Sequence, residues 1–109
     1  MSDIKKLTDQ LLAFRDERDW EQFHNPKDLA IALSIEASEL LESFLWKSSE
    51  EADLEKIKEE LADVFAYSLL LAKSCGLDVS QIVESKIAKN HEKYPVEKSK
   101  SSSKKYTEI

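Results

Sequence analysis

Only three residues in this chain of 109 break a helix outright: Pro26, Gly76 and Pro95. Between them, apolar residues recur at three- and four-residue spacing, the period of a helix with one buried face. No segment carries the alternating β-branched and aromatic pattern of a strand. The chain is therefore expected to be all-α and, at this length, one domain. A core this small leaves much surface uncovered, so pairing with a second copy is a natural source of further burial.

Four helices can be placed. The first runs from about Ser2 to Trp20, with Ile4, Leu7, Leu11 and Phe14 at helical spacing. After the polar link EQFHN, Asn25 suits an N-cap, Pro26 the first helical position and Asp28 the acidic first turn. This second helix is expected to reach Trp46 or Lys47. Ser48 and Glu51 fit a capping box opening a third helix, which runs to about Cys75, with Gly76 as a left-handed C-cap. Asp78 or Ser80 opens a fourth, ending near Tyr94 and Pro95. Residues 1–95 make the expected domain, a four-helix bundle of antiparallel neighbours. The Ser/Lys-rich tail 96–109, VEKSKSSSKKYTEI, is expected to be flexible until something binds.

Charge and hydropathy exclude several functions. A formal net charge of -6 argues against a nucleic-acid binder, which needs a basic face. No apolar run reaches the ~18–20 residues of a membrane span, and MSDIKKLTDQ lacks the apolar core of a signal peptide. The single Cys75 cannot form an internal disulfide and reads as a buried, reduced thiol. A cytoplasmic protein with neither nucleic-acid nor membrane partner is expected.

The candidate chemistry lies in carboxylates. On a helical wheel, Leu29, Leu33, Ala37, Leu40 and Phe44 form the core stripe of the second helix. Glu36 falls within the apolar half, Glu39 sits at its edge on the same side, and Glu42 points away. The third helix repeats the arrangement. Its stripe is Leu54, Ile57, Leu61, Val64, Phe65 and Ala72, with Glu60 on the flank, Asp63 one step further round and Glu59 outward. Thus ExxE on one helix and ExxD on the next can converge across an interface. Four clustered carboxylates repel, and a buried unpaired charge costs several kcal/mol or is neutralised by a proton. A hard cation removes the conflict. Mg²⁺ takes carboxylate, water and phosphate oxygens, with Mn²⁺ the alternative. No Cys/His set suits zinc, and the Glu-x-x-His pairs of di-iron bundles are missing. Ordinary charged flanks of two amphipathic helices are the other reading of the same spacing.

Other residues carry two readings each. Trp20 and Trp46, at helix ends, either pack at the core's edge or form a flat wall for a base. Tyr67, one turn after Asp63, either fills the core or borders the carboxylates. His24 reads as a loop or capping histidine. Lys86, Asn90 and Lys93 share a helix face that either meets an anion or is simply solvated. Lys104 and Lys105 either fold over a phosphate chain or solubilise the tail.

The stretches RDWEQFHNPKDLAIALSIEASELLESFLWK, EELADVFAYSLLLA, KIAKNHEKYP and SSSKKYTEI resemble the MazG-like all-α nucleoside triphosphate pyrophosphohydrolases, and among them the dCTP pyrophosphatase branch. The resemblance runs from about Leu7 to Ile109. It implies helical bundles that associate as homodimers or homotetramers. It also implies Mg²⁺-dependent hydrolysis of a (deoxy)nucleoside triphosphate to monophosphate and pyrophosphate. Carried over by motif, Glu36, Glu39, Glu60 and Asp63 would bind metal, with Glu36 or Glu39 the candidate base. Trp20, Trp46 and Tyr67 would enclose the nucleoside; Lys86, Asn90, Lys105 and Tyr106 would face the phosphates. Leu11 stands where some relatives carry a polar ring, and Lys93 where Arg is frequent. Two alternatives stay open: a non-catalytic interaction module with a structural carboxylate metal site, and a hydrolase of the same family acting on dUTP or other modified nucleotides.

Overall fold

The computed structural model describes residues 2–108. Met1 and Ile109, the ends of the expected domain and of the tail motif, lie outside them. The described residues are helical, with no strand. They form α1 (Asp3–Glu17), α2 (Pro26–Glu42), α3 (Leu54–Ser74), α4 (Val79–Lys93) and the short α5 (Val96–Ser99), with 3-10 turns at Glu21–Phe23 and Tyr106–Glu108. The chain divides into two compact units, one up to Leu77 and one from Asp78 on. In the first unit α3 packs against both α2 and α1.

Local chemistry sets most helix starts. The Asn25 side-chain oxygen accepts from the Asp28 N–H at 2.9 Å, and Pro26 follows as the first helical residue. The Ser2 hydroxyl accepts from the Lys5 N–H, and the Asp78 carboxylate from the Gln81 N–H. α3 ends in a Schellman motif: Leu77 N–H bonds to the Ala72 carbonyl and Gly76 N–H to that of Lys73. Gly76 has φ +68, and a Cβ there would meet nothing within 4 Å. Backbone conformation, not space, calls for glycine.

α1 ends at Glu17, short of the expected Trp20, and two further boundaries differ from the sequence expectation. α2 stops at Glu42, short of Trp46. Ser43, Phe44, Leu45 and Lys47 donate to carbonyls three residues back, a tightened turn, and Trp46 closes it at φ 60. The second concerns the capping box. Ser48 N–H donates to Glu51 and Glu51 N–H to the Ser48 hydroxyl, at 3.1 and 3.3 Å, yet no helix starts there. The pair folds a turn instead, and Asp53, accepting from Glu55 N–H, caps α3. Reciprocal side-chain bonds need only a tight turn, and helix follows only where an apolar stripe begins.

Burial in the first unit centres on Leu29, Leu69, Leu70 and Ala72. Leu7, Phe14, Ala37, Leu54, Leu61 and Phe65, expected in core stripes, are exposed, Leu54 by 70% and Phe65 by 61%. The stripes are present, but a helix pair covers only one side of each. Cys75, expected buried, is exposed because it caps α3 beyond its last packed turn. Leu29, only 2% exposed, is the best-covered large side chain. Leu29→Ala is expected to lower unfolding free energy by about 2–5 kcal/mol in urea titrations. A loss below about 1 kcal/mol would mean that α2 is not anchored through this residue.

Candidate functional site

The site is built where α2 crosses α3. Within α2, Glu36 and Glu39 lie three residues apart and share a surface; in α3, Glu60 and Asp63 repeat the spacing. The helices run in opposite directions. Glu36 meets Asp63, while Leu29, earlier on α2, lines a cavity with Leu70, later on α3. Opposed directions bring the two carboxylate pairs to one level. Glu36, Glu60 and Asp63 each place a carboxylate oxygen within 4.8 Å of the others. Glu39 lies within hydrogen-bonding reach of both Glu36 and Glu60.

Electrostatics at this crossing are unfavourable without a counter-charge. Burial, the hydrogen bond and charge of Glu39, and the charges of Asp63 and Glu60 push the Glu36 carboxyl up to about 7. Glu60 is raised by loss of solvent, then by Glu39 and Asp63, and Lys56 offsets part of this. Glu36 Oε2 and Glu60 Oε2 are buried with no hydrogen-bond donor. None of the ion pairs among the described residues involves the four acids. Two carboxylates can hydrogen-bond only if one holds a proton. The alternatives are therefore a shared proton or a bound cation.

The donor set suits a hard cation. All donors are carboxylate oxygens. Oxygens that ligate one Mg²⁺ through bonds of ~2.1 Å lie at most ~4.2 Å apart. The oxygens of Glu36, Glu60 and Asp63, within 4.8 Å of one another, would have to draw closer to hold one ion, which would give the two orphaned Oε2 atoms a partner.

Other expected residues divide. Tyr67 is half-buried, and its hydroxyl is pushed upward by burial, then by Glu36, Asp63 and Glu39, so it borders the carboxylates as expected. Glu42 and Glu59 face solvent, also as expected. Asp63 is exposed: it lies one step round from Glu60, on a side of α3 that the chain leaves open. Trp46 is 93% exposed and packs on no core edge. Trp20 is 45% exposed and meets Phe14 edge-on at 5.9 Å, so its aromatic partner is Phe14 and not Trp46.

Lys86, Asn90, Lys105 and Tyr106 belong to the second unit. There Lys86 is exposed and Asn90 half-buried on α4. Tyr106 meets Tyr94 edge-on, ring centroids 6.1 Å apart. The Lys93 ammonium lies 4.8 Å from the Tyr106 ring centre, so it faces an aromatic ring rather than standing free for an anion. Tyr94 had no role in the sequence reading, because only folding of the tail brings position 106 back to it.

His24 lies in the loop and caps the Glu21–Phe23 turn, as expected, while Asn25 caps α2; the His24 ring is half-buried with Nδ1 lacking a partner. It lines a cavity of about 260 Å³ with Arg15, Glu21, Leu29, Leu70 and Lys73. Burial and the Arg15 charge lower its pKa. No spacing signal in FHNP marks this inward turn.

Comparison with known proteins adds independent information. The sequence model of the MazG-like family matches residues 31–109. The dCTP pyrophosphatase 1 of Mus musculus is 41% identical over 117 aligned positions, covering 100% of this chain and 67% of its own. That of Homo sapiens is 40% identical with the same coverage. The crystal structure of a pyrophosphatase from Archaeoglobus fulgidus is similar with a TM-score of 0.81 and 39% identity, over 87% of this chain and 94% of that one. A family match running from Ile31 onward, together with relatives about 40% identical along the whole sequence, establishes that the chain belongs to the MazG-like family.

Proposed function

We propose that this protein is a Mg²⁺-dependent nucleoside triphosphate pyrophosphatase. Its substrate is dCTP or a modified dCTP, and its products are the monophosphate and pyrophosphate, in the housecleaning of a cytoplasmic nucleotide pool. One observation carries this reading: four carboxylates from two antiparallel helices converge without a cationic partner. The identity to dCTP pyrophosphatases supports the choice of substrate. Among the described residues no helix is long and apolar enough to cross a membrane.

Glu36, Glu39, Glu60 and Asp63 would hold the metal. Bound Mg²⁺ supplies charge neutralisation at the phosphate oxygens and acidifies water. In the reaction, water attacks the α-phosphorus in line. A bond forms from its oxygen to phosphorus, and the bond to the oxygen bridging to the β-phosphate breaks. Glu36 or Glu39 takes the water proton; in the metal-free protein burial and neighbouring carboxylates raise Glu36 to about 7. Trp20, Trp46 and Tyr67 enclose the nucleoside. Lys86, Asn90, Lys105 and Tyr106 serve the phosphate side, and Lys86 and Lys105 screen the leaving pyrophosphate. Charge along the chain agrees with this division. From Asp78 on there are seven lysines and five acids, whereas up to Leu77 there are nine basic and seventeen acidic residues.

The working form is a homodimer or a dimer of dimers. Support comes from large apolar side chains left exposed along α2 and α3, among them Ile31, Ile35, Leu41, Leu61 and Phe65. Light scattering should give a mass of two or four chains at micromolar concentration. A single-chain mass at every concentration tested would remove this part of the proposal.

The direct test is a panel of nucleoside triphosphates with Mg²⁺, with and without chelator, followed by product analysis. Monophosphate plus pyrophosphate, with dCTP preferred, is expected. Orthophosphate plus diphosphate would refute attack at the α-phosphorus, and no turnover would favour an interaction module. Glu39→Gln and Asp63→Asn should each lower turnover by about 100-fold or more. Trp46→Gly should raise KM while keeping the fold, since glycine accepts φ 60 without strain.

The proton on Glu36 predicts a pH dependence. Its folded pKa, about 7, lies above the ordinary glutamate value of 4.5. In metal-free protein its contribution to stability is therefore full below 4.5 and is lost as pH rises through 7. Wild-type protein should lose thermal stability relative to Glu36→Gln across that window. Mg²⁺ should stabilise the wild type more near pH 8 than near pH 5, because binding needs the ionised carboxylates. Equal Mg²⁺ shifts at both pH values would count against metal binding at Glu36.

A further inference from the structure

The second unit contains an arrangement that the proposed chemistry does not by itself require. Tyr94 caps α4, and the chain leaves it through Pro95 and the short α5. Twelve residues after Tyr94, the Tyr106 ring returns to it edge-on, at 6.1 Å and 84°. Lys93 closes the third side, with its ammonium 4.8 Å from the Tyr106 ring centre. Tyr94 is half-buried and Tyr106 is 48% exposed. The intervening residues hold local bonds: Ser102 N–H to the Ser99 carbonyl, Lys104 N–H to the Ser102 hydroxyl, and Glu108 N–H to the Lys105 carbonyl. A Ser/Lys-rich segment has little reason to order itself. Here one aromatic residue near its end is docked on the helix from which it departs.

We propose that Lys93, Tyr94 and Tyr106 form a clasp that positions Lys104 and Lys105 for the phosphate chain of the substrate. The clasp rests on the pyrophosphatase reading above for its purpose, but its existence does not. Lys93 and Tyr94 are positioning residues, and Tyr106 is the anchor rather than a direct phosphate ligand.

A free segment of ten residues after Pro95 could carry Lys105 over roughly 35 Å. Docking Tyr106 confines its neighbour to the C-terminal end of α4 and raises the local concentration of positive charge there. Closing the loop costs chain entropy, and gathering Lys93, Lys104 and Lys105 costs repulsion. An edge-to-face aromatic pair and a cation–π contact are interactions of the size needed to offset such terms. The geometry also explains how lysine serves at position 93. Resting on a ring face needs a charge but not the planar fork of arginine.

Limited trypsin digestion of the full chain, read by mass spectrometry, tests the clasp without relying on activity. Cleavage after Lys104 and Lys105 should be slow in the wild type. It should accelerate about three- to tenfold in Tyr94→Ala, which leaves the residues flanking both sites unchanged. Tyr94→Phe should keep wild-type protection, because the ring makes the contact. Lys93→Arg should retain protection that Lys93→Ala loses. Far-UV circular dichroism checks that each variant folds. In steady state, Tyr94→Ala should raise KM for the triphosphate by a similar factor with kcat little changed. Adding Lys105→Ala to it should cost less than Lys105→Ala alone. Unchanged tryptic rates in folded Tyr94→Ala would overturn the clasp, whether or not the protein hydrolyses nucleotides. Unchanged KM with accelerated cleavage would overturn its role in positioning. No turnover by the wild type, with the tryptic pattern as expected, would overturn the pyrophosphatase reading and leave the contact standing.

Discussion

Four carboxylates that repel one another are held together by the packing of two antiparallel helices. Everything specific about this protein depends on that opposition. Leu29, Leu69, Leu70 and Ala72 seal part of the first unit, and sealing fixes the register of α2 on α3. The register then forces Glu36 and Glu39 against Glu60 and Asp63. With few deeply buried residues, the packing force is modest and the repulsion is not negligible. A proton held near neutrality by Glu36 is the metal-free resolution of that conflict. A divalent cation is the other, and it turns a source of instability into a binding site.

The two units differ in charge. The first carries the excess of acids and the second an excess of lysines. On the proposed reading, the carboxylates would serve a cation and the lysines phosphate oxygens. The clasp at the end of α4 extends this logic to the tail, whose lysines would otherwise be spread over a wide volume.

Much of the fold was legible in the chain. Asn25-Pro26, Gly76 and Asp78 mark helix ends by side-chain and backbone chemistry that works over three or four residues, and the structure follows them. The Ser48–Glu51 pair misled because its bonds are equally at home in a turn. The overlong α2 had a similar cause. Apolar Phe44, Leu45 and Trp46 continue the helical pattern, while Trp46 at φ 60 breaks it, and no propensity foretells a strained tryptophan. Apolar stripes predicted which faces seek cover, not which find it. Phe65 and Leu54 satisfy the pattern and remain exposed.

The site shows the same boundary. Spacing along each helix separated Glu60 from Glu59 and Glu36 from Glu42, because helical periodicity is a local property. The motif stretches, not the spacing, carried the family resemblance, which the comparisons bear out. Spacing could not say that Asp63 stays open to solvent, that His24 turns into a cavity, or that Tyr106 docks on Tyr94. Those facts depend on contacts between residues distant in the chain. By itself the sequence determined helices, their ends and the side on which each carboxylate stands, since backbone hydrogen bonding and side-chain period act within a turn or two. Only the tertiary structure decided which carboxylates meet and how far each loses water, because helix crossing and burial belong to packed surfaces.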